Sequence, residues 1–185
     1  MPRFVALFRG INVGKAKRIA MADLRALLAG LGYTEVQTLL NSGNAVFTGD
    51  AGPASKHSDR IRQAVLAKTG IDALVIVKSA KELAAIVQGN VLVTIAGDHS
   101  RLLVAMTHDA KSLASVKALA RAKWGDEKLH VGKHAAYLWC ANGILESKAA
   151  EALLKGLKGA GTTRNWATLG KIHALMKSAD DGDGR

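Results

Sequence analysis

An α+β fold of two halves, each with a mainly antiparallel sheet, plus one C-terminal helix, is what this chain predicts. Three observations carry that expectation. Short apolar runs alternate with stretches whose apolar residues recur at helical spacing. Two pairs of strand-like runs are joined by a few turn-forming residues, at Asn41-Ser42-Gly43-Asn44 and at Gly132-Lys133, and links that short connect only antiparallel neighbours. The order β-α-β-β-α then occurs twice, as a repeat of topology without residue-level similarity.

The first run, Phe4 to Phe8, is continuously apolar and bounded by Arg9-Gly10, the pattern of a strand buried on both faces. Met21, Leu24, Leu27, Leu28 and Leu31 follow helical spacing, and Gly30 and Gly32 supply the stop. Glu35 to Leu40 and Ala45 to Thr48 read as a hairpin. After a loop holding Pro53 and two glycines, Ser55 to Ser58 offer caps for a helix that turns Ile61, Ala64 and Val65 inward. Ala73 to Val77 completes β-α-β-β-α-β, the split pattern of a ferredoxin-like unit.

Lys81 to Gln88 is a short helix ended by Gly89-Asn90, and residues 91–100 have no clear period. The pattern then restarts with a strand at Arg101 to Met106 and a helix carrying Leu113, Val116 and Ala120. A strand pair follows at Lys128 to Val131 and Ala135 to Cys140. Leu145, Ala149, Ala152, Leu153 and Leu157 give a further helix, and Trp166, Leu169, Ile172, His173 and Met176 the last. The expected organisation is a first half at 1–79, a connecting helix and loop at 80–100, a second half with its helix at 101–179, and a polar tail at 180–185.

With 185 residues, 49% of them hydrophobic, the chain can bury a full core, and a net charge of +11 favours phosphates, nucleotides or nucleic acid as partners. Cys140 is the sole cysteine, so a disulfide framework and a multi-cysteine zinc site are excluded. Phe4 to Phe8 is too short for a signal-peptide core or a membrane span. A cytoplasmic protein without membrane attachment is the simplest reading.

Three polar segments stand where strands end and helices begin, the places where α/β and α+β proteins put binding groups. Gly10-x-x-x-Gly14-Lys15 invites comparison with a phosphate-binding P-loop, but it is one residue short between the glycines, and Ala16 stands where a magnesium-holding Ser or Thr belongs. Its backbone N–H groups can still cradle an anion, with Arg9, Asn12 and Lys15 beside it. Asn41-Ser42-Gly43-Asn44 is first of all a turn, and Ser42 and Asn44 are candidates to face a ligand. In Thr162-Thr163-Arg164-Asn165-Trp166, Thr163 is expected to cap the last helix. Arg164 then falls in its first turn, where a cation opposes the helix dipole unless an anion compensates it.

These blocks, taken with Met21-Ala22-Asp23-Leu24-Arg25, Leu31-Gly32-Tyr33 and Thr163-Arg164-Asn165-Trp166-Ala167-Thr168, resemble a bacterial family known as domain of unknown function 1697. The blocks come in the family's order and spacing over nearly the whole chain. Lys15 stands where a second glycine is common, and Leu39-Leu40-Asn41 replaces a segment that usually contains Tyr. The resemblance implies ferredoxin-like halves in a cytosolic protein and carries no established activity.

His130 and His134 are four apart but straddle Gly132 in an expected hairpin, so they share no helix face and no metal site is expected. No cofactor motif, nucleophile elbow or kinase signature is present, and few aromatic residues are available for base stacking. The expected function is binding of a phosphorylated ligand or a nucleic-acid backbone through Arg9, Asn12, Lys15, Ser42, Asn44, Thr163, Arg164 and Asn165. A small enzyme acting on such a ligand, and an interaction module without one, remain the alternatives.

Overall fold

A computed structural model describes residues 1–14, 17–41 and 43–178. The chain divides into two compact units: Met1–Leu83 with the chain from Ile172 onward, and Ala84–Lys171.

The first unit runs β1 (Arg3–Arg9), α1 (Met21–Gly30), β2 (Thr34–Leu39), β3 (Asn44–Thr48), α2 (Ala54–Thr69) and β4 (Leu74–Ser79), then enters α3 (Ala80–Gln88). Its antiparallel sheet has the order β2-β3-β1-β4. Strand alternation sends Phe4, Ala6 and Phe8 of β1 to one face. There they meet Leu24 and Leu28 of α1 and Ile61 and Val65 of α2, all buried, so both helices lie on that face. Ala45 and Phe47 of β3 and Val75 and Val77 of β4 complete the cluster.

The second unit runs β5 (Leu102–Thr107), α4 (Ala110–Ala114), a 3-10 turn at Lys117–Arg121, β6 (Lys128–Val131), β7 (Ala136–Trp139), α5 (Lys148–Gly156) and β8 (Gly161–Asn165), followed by α6 (Trp166–Lys177). Its sheet order, β6-β7-β5-β8, repeats that of the first, again antiparallel. Leu103, Ala105, Leu138, Ala149 and Leu153 form its core, together with Cys140.

The α+β fold of two ferredoxin-like halves is therefore the observed one, and four local expectations are corrected. Ser55 to Ser58 lie inside α2, whose N-cap is Pro53. Ser58 is buried and its Oγ accepts Val77 N–H at 3.0 Å on strand β4. The helix expected through Leu113, Val116 and Ala120 breaks after one turn, because Lys117–Arg121 continue as 3-10 structure. Leu145 is 98% exposed and precedes α5, which starts after Ser147. Residues 161–165 open no helix. They form the edge strand β8 along β5, with Arg164 opposite Val104 and Thr163 opposite Ala105. The expectations for Lys15, Ala16, Ser42 and the tail at 180–185 lie outside the described residues.

Candidate functional site

Two of the three polar segments meet in the first unit. Beyond β1 the chain turns at Gly10 and enters a loop in which Asn12 has a φ of 56°, a left-handed conformation that asparagine tolerates better than most residues. The Asn12 side chain then acts as a clamp. Its Nδ2 donates to Ile19 O and to Asn41 O, each at 2.9 Å, and its Oδ1 accepts Ile19 N–H at 2.8 Å. One amide thus closes the loop on itself and ties it to the hairpin between β2 and β3.

Gly43 completes the junction. Phe8 N–H donates to Gly43 O at 2.9 Å. A Cβ on Gly43 would stand 2.7 Å from Ile11 Cδ1 and 2.8 Å from Phe8 Cβ, and the residue has a φ of +84°. Both the packing and the backbone require glycine here. Asn44 is fully buried, and its Nδ2 donates to Leu39 O at 2.8 Å. It braces the hairpin from inside rather than facing solvent. Arg9, at the end of β1, is half-buried.

A cleft of about 380 Å3 opens at this junction, lined by Asn12, Arg18, Ile19, Ala20, Met21 and Asn41. Its floor is the start of α1. The N-cap is Ala20, extended at φ −64° and ψ 141°, and it has no side-chain acceptor for the first helical N–H groups. Arg18 is exposed and donates from Nε to Gly14 O at 3.2 Å, which holds the guanidinium at the cleft wall. A helix start without a side-chain cap, beside a fixed cation, suits an anion, against which stands the carboxylate of Asp23 in the same first turn.

The third segment belongs to the second unit and is built differently. Arg164 sits on a strand, so the opposition to a helix dipole expected from the sequence does not arise. Its Nη1 donates to Thr162 Oγ1 at 2.9 Å and to Thr163 O at 2.7 Å. Burial pulls its pKa down to about 10, since a desolvated guanidinium holds its proton less firmly. Thr163 does not cap α6. Asn165 does, its Oδ1 accepting Thr168 N–H at 2.8 Å.

Elsewhere, Cys140 is buried and its thiol is pushed up by that burial, the setting of an unreactive core cysteine. No cluster of three His, Cys, Asp or Glu side chains suited to a metal occurs among the described residues. No helix among them is long and apolar enough to cross a membrane.

The sequence profile of a family described as "Protein of unknown function (DUF1697)" matches residues 1–137. The chain belongs to that family. The match takes in the whole junction of Asn12, Asn41 and Gly43 and ends inside β7. The fold is similar to that of a conserved bacterial protein, SP0830 from Streptococcus pneumoniae. The TM-score is 0.77 at 25% identity, over 95% of this chain and 99% of that one. No curated protein matches the chain.

Sequence reasoning named neither Ala20 nor Arg18 as a site residue, and it took Met21 only as an apolar position of the helix. The signal was present in a negative form: the helix begins at Ile19-Ala20-Met21 without the Ser, Thr, Asp or Asn that most helices place there.

Proposed function

We propose that this DUF1697 protein binds the phosphate of a phosphorylated ligand or of a nucleic-acid backbone in the cleft of its first unit. The observation that carries the reading is the uncapped start of α1, framed by a loop and hairpin that Asn12 holds together, with Arg18 in the wall. Asn12 and Asn44 act there as scaffold, since their amides are spent on Ile19, Asn41 and Leu39. Arg9, half-buried at the end of β1, adds positive charge to the same unit. Thr163, Arg164 and Asn165 are assigned to a separate polar edge of the second unit. The net charge of +11 favours the same class of ligand.

Titration with inorganic phosphate, followed by phosphorus NMR, tests the reading. Binding is expected in the wild type and is weakened in Arg18→Gln. It is lost in Ala20→Asp, whose carboxylate would take the same N–H groups. For a nucleic-acid backbone, affinity for a short duplex falls steeply as salt rises, because contacts release condensed counterions. Unchanged phosphate binding in Ala20→Asp defeats the proposal.

A further inference from the structure

We propose that the second unit carries a ligand site of its own, for a nucleotide-like molecule that joins a planar base to an anion. A cleft of about 600 Å3 opens beside the edge strand β6, within the range of about 300–1,000 Å3 usual for small-molecule sites. Its lining combines three chemistries. Val91 and Ile95 are 59% and 52% exposed, so the cleft keeps apolar surface in water. Trp124 also lines it. Its indole Nε1–H donates to Leu119 O at 2.8 Å. The polar edge of that ring is therefore satisfied within the protein, and the ring is anchored by packing on the core of the unit. The part of it that lines the cleft offers a base a surface to stack on.

Charge supplies the third element. Lys123 and Lys128 are exposed at the cleft. The acid among the lining residues, Glu127, is drawn to the start of α5, where its Oε2 accepts Ala149 N–H at 3.4 Å. Its carboxylate is thereby partly offset, and the cleft favours an anion. Apolar walls, a fixed aromatic ring and two lysines together match a mononucleotide better than a bare phosphate or an uncharged apolar molecule. The inference is independent of the cleft in the first unit.

Isothermal titration of the full chain with adenosine monophosphate tests it, with adenosine and inorganic phosphate as companions. The chain carries Arg18→Gln, to weaken an anion held in the first unit. Adenosine monophosphate is expected to bind more tightly than either companion. Trp124→Leu weakens both adenosine monophosphate and adenosine by about 10-fold, the effect of losing one stacked base. Lys123→Gln with Lys128→Gln weakens adenosine monophosphate toward the affinity of adenosine and leaves adenosine unchanged. The lysine pair is exposed, so that arm stands even if Trp124→Leu does not fold. Binding that survives the lysine pair intact, or no binding at millimolar ligand, overturns the proposal.

Discussion

The two units use the same element order and the same strand order, yet the helices that lie between their strands begin in opposite ways. In the second unit Asp109 caps α4 by accepting Ser112 N–H, and Ser147 caps α5 by accepting Ala150 N–H. The helices that follow the last strand of each sheet are both capped, α3 by Ser79, which accepts Glu82 N–H, and α6 by Asn165. In the first unit α1 and α2 start after Ala20 and Pro53, neither of which has a side-chain acceptor. Duplicated topology therefore does not imply duplicated chemistry. Where a side chain fills the helix start, the N–H groups are spent on folding. Where it does not, they remain for solvent or for an anion.

The comparison can be broken most forcefully at the junction that frames the open helix. Gly43→Ala is expected to destabilise the first unit by about 3 kcal/mol, from left-handed strain and overpacking against Ile11 and Phe8 together. Gly159→Ala in the second unit has a similar φ of +80° but meets nothing within 4 Å. It is expected to cost only the strain, about 1 kcal/mol. Urea unfolding of the two variants separates packing from backbone conformation, and equal losses would show that the close approach to Ile11 does not matter.

Asn12→Ala removes three hydrogen bonds and is expected to cost about 2 kcal/mol. Faster amide exchange at Ile19 would mark the loop coming away from the hairpin. Its counterpart in the second unit, Arg164→Ala, is expected to cost about 1–2 kcal/mol. It removes the donors to Thr162 and Thr163 from a half-buried strand position. A thermal melt indistinguishable from wild type would return Arg164 to the role of a surface charge.

The caps themselves give smaller effects of opposite sign. Asp109→Ala and Ser147→Ala are each expected to lose about 1 kcal/mol. Ala20→Asp is expected to gain about 0.5 kcal/mol, because it supplies α1 with the acceptor it lacks. A loss of stability in Ala20→Asp would mean that those N–H groups are already satisfied.

The mildest effect is a pH dependence seated in the first unit. His57 is buried, and that burial lowers its pKa. Asp50 O accepts from His57 Nε2 at 3.2 Å, so Nε2 carries the hydrogen and Nδ1 accepts the Tyr33 hydroxyl at 2.9 Å. The unfolded chain takes up the proton first as pH falls, so this contribution is complete above about pH 6.5 and is lost below it. Carboxylates with lowered pKa values, such as Asp98 and Asp109, lose their contribution only near and below about pH 4. Chemical denaturation between pH 7 and 5 is expected to show falling stability in the wild type and a flatter profile in His57→Phe.

The local signals in this chain were the strong ones. A continuous apolar run announced β1, helical spacing announced α1, and Asn41 to Asn44 announced the hairpin, because each depends on a few adjacent residues. The family resemblance was legible in the same blocks. Strand β8 was not. Gly161-Thr162-Thr163-Arg164-Asn165 has no apolar alternation and becomes a strand by pairing with β5, from which it is separated by some fifty residues of chain. Reading it as a helix start also misplaced Arg164 and moved the cap from Asn165 to Thr163. Asn12 was named from the sequence as a binding residue, whereas its hold on Asn41 and the packing of Ile11 on Gly43 exist only once β1 and β3 are side by side. Composition and periodicity determine which segments can be strands and helices. Which backbone groups are left without a partner, and so where a ligand can find them, is decided when distant segments meet.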